Sequence, residues 1–141
     1  KEVPMDKFFV LPEDDVGRES ILNSNELITA VIIPPVTAST RSCYIKQGTK
    51  ESHDWPLADA AVVLELSGTA CKNATVVLGA AAPVPLKAEA ASQALTGRLI
   101  NEKTAVAAGE ASMQGATALS KNAYKIPLFK AVVKRAVLGC L

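Results

Sequence analysis

Apolar residues change their period partway along this chain. In the first part they alternate with polar ones, and later they recur at every third or fourth position. Ala58, Ala60, Val62, Leu64 and Leu66 fall on one side of residues 57–66, while Asp59 and Glu65 interrupt the other. That is the pattern of a strand with one buried face. Ser67-Gly68 is a turn signal, and 72–78 reads as a strand pairing back to form a hairpin. Residues 26–33 are rich in β-branched side chains and stop at Pro34 and Pro35, which predicts an earlier strand. Residues 41–47 predict another, with Cys43 and Ile45 on one face and Tyr44 and Lys46 on the other. Polar residues 48–56 connect it to the hairpin as a loop, with Trp55 beside Pro56 plugging that loop onto the sheet. Ahead of these strands, Pro4, Pro12, Gly17 and the acids Glu13, Asp14 and Asp15 break residues 1–25 into an extended linker, which Phe8, Phe9 and Leu11 can anchor.

The second half has helical spacing. A short helix is predicted over 87–95, ended by Gly97. Asn101 is a good N-cap for a second helix over 102–114, with Glu102 well placed for its dipole and Gly115 closing it. A third begins near Ile126 and tolerates Pro127 in its first turn. Ile126, Phe129, Val133, Ala136 and Cys140 form its apolar stripe. Strands first and helices afterwards argue an α+β fold: an antiparallel sheet of three to four strands followed by a three-helix bundle.

Composition sharpens this picture. The 141 residues suit one domain, and 49% are hydrophobic but only 4% aromatic, so alanine-rich helices should pack closely. The formal net charge is +1, from 15 basic and 14 acidic residues, which leaves no phosphate-tracking surface and no nucleic-acid partner. Lys125, Lys130, Lys134 and Arg135 read as one solvated side of the last helix. Cys43, Cys71 and Cys140 are odd in number and far apart, which fits reduced thiols in a cytoplasmic protein rather than a disulfide framework or metal site. No charged-then-apolar leader follows Lys1, and no apolar run reaches the roughly 18 residues of a membrane span.

Catalytic signatures are missing. There is no phosphate-cradling glycine loop, no nucleophile elbow and no nucleophile–base pair. His53, flanked by Ser52 and Asp54, reads as a solvent-facing loop residue. Taken alone, these features describe an α+β domain. A free-standing interaction or dimerisation module without catalysis is one function such a domain can serve.

Several stretches, in order, carry a more specific resemblance. They are Leu11-Pro12 with its acidic tail, Asn25-Glu26-Leu27-Ile28-Thr29-Ala30-Val31, Tyr44-Ile45-Lys46, and Asp54-Trp55-Pro56-Leu57-Ala58. Val77-Leu78-Gly79, Ala82-Pro83-Val84-Pro85 and Asn122-Ala123-Tyr124-Lys125 complete the set. Together they resemble the C-terminal domain of the FAD-binding (medium) subunit of molybdenum hydroxylases, the xanthine dehydrogenase and carbon monoxide dehydrogenase flavoprotein family. The resemblance implies a domain over 26–141, behind a linker over 1–25 that leaves an upstream FAD-binding domain. It implies an oxidoreductase fragment, inactive as an isolated chain, that closes one side of a flavin pocket. FAD is then shared with the upstream domain, while molybdopterin and 2Fe–2S clusters belong to partner subunits or domains. Electrons pass between those clusters and an external acceptor. By position, Leu27 matches a residue that touches the flavin, and Lys46 a lysine beside its ring. Residues 48–56 match a loop near the flavin's open side, where this chain carries Gly48 and Lys50 in place of arginines and His53 in place of an aromatic. Asp54 matches a family aspartate and should brace that loop. A sizeable apolar patch should mark where the upstream domain and partner subunits dock.

Overall fold

A strand with one apolar face is stable only when that face meets a second layer, and the helices supply it. In a computed structural model describing residues 1–141, the chain divides into two compact units, Lys1–Val36 and Thr37–Leu141.

The second unit holds the sheet: β1 (Thr40–Gln47), β2 (Ala58–Ser67), β3 (Ala70–Gly79) and β4 (Leu86–Lys87), antiparallel throughout and ordered β1-β2-β3-β4. Cys43 sits opposite Val62, and Val62 opposite Val76, so alternation places all three on one face. On β3 the buried positions are Cys71, Ala74, Val76 and Leu78. The three-residue step from Cys71 to Ala74 marks a bulge, where Lys72 is extra in the pairing with β2. The bulge keeps both Cys71 and Ala74 facing the core.

Helices α1 (Glu89–Leu95) and α3 (Lys125–Leu138) lie on this face, α1 against β3 and α3 against β2 and β1. Helix α2 (Glu102–Ser112) packs on both helices. Leu64, Leu78, Leu95, Val132, Val133 and Val137 are fully buried between the layers. Small residues let the layers approach. A Cβ on Gly109 of α2 would lie 2.5 Å from the carbonyl oxygen of Lys130 on α3. Asn101 caps α2 as expected, its side chain accepting from Thr104 N while the Thr104 hydroxyl accepts from Asn101 N.

The edge of β3 is covered along much of its length. Beyond the two residues of β4, the Val76 N–H is taken by the buried hydroxyl of Ser92 on α1 at 3.0 Å. At the other end, Cys71 N donates to Arg98 O and Ile100 N to Thr69 O, each at 2.8 Å. Covering an edge in this way removes a template for unwanted pairing.

Within the first unit a short 3-10 turn, Met5–Lys7, leads to a bridge between Phe9 and Ser20. The Phe8 and Phe9 rings meet edge to face at 5.3 Å. Asn23 and Lys1 both engage the Glu26 carboxylate, and the hydrogen bond from the Asn23 backbone, more than the Lys1 ammonium, lowers its pKa.

The α+β class and the antiparallel sheet followed by three helices are as the sequence predicts, but three local expectations need correction. Residues 26–33 form no strand, because they have no neighbour to pair with, and local β-propensity cannot supply a ladder. The fourth strand is instead Leu86–Lys87, which takes Lys87 out of the predicted first helix. The four basic residues of α3 do not share a solvated side. Lys130 and Lys134 pair with Glu110 and Glu102 of α2, Lys125 reaches the Ala80 carbonyl at 2.6 Å, and Arg135 turns toward β1. At about 100° per residue, positions 125, 130, 134 and 135 cannot line up on one face.

Candidate functional site

The sheet face away from the helices is where side chains remain free to meet something else. Alternation on β1 sends Tyr44 and Lys46 to that face, and both are exposed. Opposite Lys46 stands Asp59 of β2, which in turn sits opposite Gly79 of β3. A Cβ on Gly79 would overlap the Asp59 carboxylate, so that carboxylate lies over β3 and makes no ion pair with Lys46. Glycine at 79 makes the room. Desolvation on the sheet, and then the charge of Asp59, raise the pKa of the Tyr44 phenol.

Lys46 has no carboxylate within ion-pair distance. Its ammonium donates to the Ser52 carbonyl at 3.3 Å, which ties the strand end to the loop that follows. Inside that loop the Ser52 hydroxyl donates to the Asp54 carboxylate at 2.8 Å, the brace expected of Asp54. Leu57 N donates to Gln47 O at 2.8 Å and closes the loop at its base.

The loop borders an open groove of about 510 Å³, lined by Lys46, Lys50, Glu51, Asp54, Trp55 and Arg135 among others. Trp55 does not plug the loop onto the sheet: it is 93% exposed. Its loop neighbours Glu51, Ser52, His53 and Asp54 are polar and exposed, and they offer the indole no apolar surface to cover. His53 is exposed as expected.

Leu27 lies in the first unit and is 75% exposed, within a run where Ile28, Val31, Ile32 and Ile33 are exposed as well. Of the groove's lining, sequence analysis singled out Lys46, Lys50, Asp54 and Trp55 but missed Gln47 and Arg135 as partners. Helical phase carried a usable signal, since it sets Arg135 apart from the Lys130–Lys134 side.

The chemistry available here is limited. Two ammonium groups without a carboxylate partner, those of Lys46 and Lys50, a hydrogen-bonded loop and an exposed tryptophan can touch a planar or anionic group. No backbone cradle for a pyrophosphate accompanies them, and no cluster of three or more His, Cys, Asp or Glu side chains is placed to hold a metal ion. No helix is long and apolar enough to cross a membrane.

Comparison with known proteins gives this geometry a context. Residues 43–139 match the family model of the CO dehydrogenase flavoprotein C-terminal domain. The chain is 28% identical to the carbon monoxide dehydrogenase medium chain of Hydrogenophaga pseudoflava over 141 residues, 97% of this chain and 47% of that protein. It thus spans about half the length of that relative. A solved carbon monoxide dehydrogenase from the same organism, lacking the Mo-pyranopterin moiety of its cofactor, superposes with a TM-score of 0.84 at 29% identity, over 99% of this chain and 48% of that one. Quinoline 2-oxidoreductase from Pseudomonas putida 86 superposes at 0.66 with 26% identity, over 75% of this chain and 38% of its own.

Proposed function

Because the chain belongs to the CO dehydrogenase flavoprotein C-terminal domain family, the C-terminal domain of the FAD-binding subunit of molybdenum hydroxylases, we propose that it closes one side of a flavin pocket with Lys46 beside the ring, and that Leu27, in the other unit, is a separate flavin contact. The remaining walls and the pyrophosphate clamp come from an upstream FAD-binding region of the parent polypeptide. The observation that carries this reading is the Lys46 ammonium, exposed at the rim of a groove and held by a loop carbonyl rather than a carboxylate.

Each of these residues brings one kind of contact. Lys46 offers a point charge and Leu27 an apolar contact. Bound there, the flavin supplies an electron relay between 2Fe–2S clusters and an external acceptor, with molybdopterin held in a partner subunit or domain. The part played by this chain is electrostatic. An ammonium beside a ring favours added negative charge there, by about 1 kcal/mol at 4 Å in water and about 4 kcal/mol near a protein surface. The exposed run Leu27, Ile28, Val31, Ile32 and Ile33 supports a cover contributed by the upstream region. One wall without a clamp gives weak flavin affinity, so the isolated chain is inactive. The two similar enzymes are named for different substrates, carbon monoxide and quinoline, in keeping with substrate choice residing in the molybdenum subunit.

The test is Lys46→Ala in the parent flavoprotein subunit, with FAD content and flavin midpoint potential measured together. We expect FAD to be retained and its potential to fall, as loss of a stabilising cation requires. An unchanged potential would remove Lys46 from the flavin's surroundings and the proposal with it.

A further inference from the structure

The loop beside Lys46 is held from an element that the sequence keeps far away. Arg135, in the last turn of α3, donates from Nη1 to Gln47 Oε1 at 3.0 Å. The same amide donates from Nε2 to the Gly48 carbonyl at 2.8 Å. The backbone carbonyl of Gln47 accepts from Leu57 N at 2.8 Å. Three bonds therefore converge on the residue from which the loop departs and to which it returns.

The neighbouring residue is Lys46. Alternation sends its side chain to the opposite face, where it donates to Ser52 O within the same loop. The loop is thus gripped on both sides of the strand, by Lys46 on the open face and by Gln47 toward the helices. Arg135 has no carboxylate within ion-pair range, so Gln47 is the side-chain partner of its guanidinium. A charged donor on an amide oxygen makes a stronger hydrogen bond than a neutral one. The planar guanidinium also fixes direction where a lysine would not.

We propose that Arg135 is the positioning residue for Lys46 and its loop, acting through Gln47 and touching no cofactor itself. The flavin part of this inference rests on the function proposed above. The clamp on the loop rests on geometry alone. A basic residue in the last turn of a helix also favours the helix dipole, so a test must separate the two roles.

Gln47→Ala makes that separation, because it removes the acceptor and leaves Arg135 in the helix. The experiment is hydrogen–deuterium exchange on the FAD-bearing parent subunit carrying Arg135→Ala, Gln47→Ala or both, alongside Lys46→Ala, with flavin potentials measured on each. In Arg135→Ala, exchange of peptides covering residues 48–57 should rise about fivefold, the scale of losing one partly exposed hydrogen bond, and in Gln47→Ala, which also loses the bond to Gly48, by at least as much. Peptides from β2 and β3 should not change. The double variant should be no worse than Gln47→Ala alone, which already removes the Arg135 contact together with the bond to Gly48. The flavin potential should move in the direction of Lys46→Ala, and by less.

Unchanged exchange over 48–57 would overturn the inference, and so would equal loosening of β2 and β3 or additive effects of the two substitutions. An unmoved potential in Lys46→Ala overturns the flavin reading instead, while exchange in the loop still decides the clamp. A potential that moves in Lys46→Ala but not in Arg135→Ala overturns the positioning role and spares the flavin reading.

Discussion

Glu65 shows how much a single side chain can organise. Its Oε1 accepts from the Thr40 hydroxyl at 2.5 Å, and its Oε2 from Thr37 and Ser39, each at 3.0 Å. These bonds, Thr40 first, hold its pKa below the usual glutamate value of 4.5. A carboxylate depressed in the folded state adds stability above its unfolded pKa and loses it as pH falls through the folded one. Thr40→Val should therefore unfold more readily than the parent chain at neutral pH. That difference should narrow as the pH drops below about 4.5, and urea melts across pH 3–7 check it; a gap that stays constant over this range means Glu65 is not the linked group. Sequence alternation alone assigned Lys46 to the free face, because period two needs no tertiary information. Asp59 is different. Its position opposite Lys46 invites an ion pair, yet its carboxylate lies over Gly79, and only the pairing of β2 with β3 determines that.

At the scale of elements, Gly109 sets local preference against packing. Helix propensity alone makes Gly109→Ala stabilising by about 1 kcal/mol. The space is already taken, since the new Cβ would lie 2.5 Å from the Lys130 carbonyl oxygen. Pushing α2 away from α3 costs about 1–3 kcal/mol. We therefore expect the melting temperature of Gly109→Ala to fall, and a rise would mean that the helices separate freely. The same tension explains the misread residues 26–33. Their β-branched composition is a genuine preference, but a ladder needs a neighbouring backbone, and no strand pairs with them. The reverse holds for β4, where Leu86 and Lys87 pair with Leu78 and Val77 although two residues carry no periodic signal. Helix α2 was legible down to its cap, because Asn101 and Thr104 satisfy one another within four residues.

For the molecule as a whole, every fully buried hydrophobic residue lies at or beyond Ala58. The unit Thr37–Leu141 therefore contains a complete core, and a protein of residues 37–141 should unfold cooperatively with native-like circular dichroism. A broad, non-cooperative melt would show that the first 36 residues are part of the folding unit. The sequence by itself determined what depends on neighbours along the chain: the hairpin, the order of strands before helices, the capped α2, the apolar stripe of α3 and the face on which Lys46 stands. It also carried enough ordered motifs to reveal the family. The tertiary structure decided what depends on residues distant in sequence. Arg135 meets Gln47 across 88 positions, Lys125 meets Ala80 across 45, and Gly109 meets the backbone of Lys130. Local periodicity reports which way a side chain leaves the backbone, and only the packed fold sets what waits there.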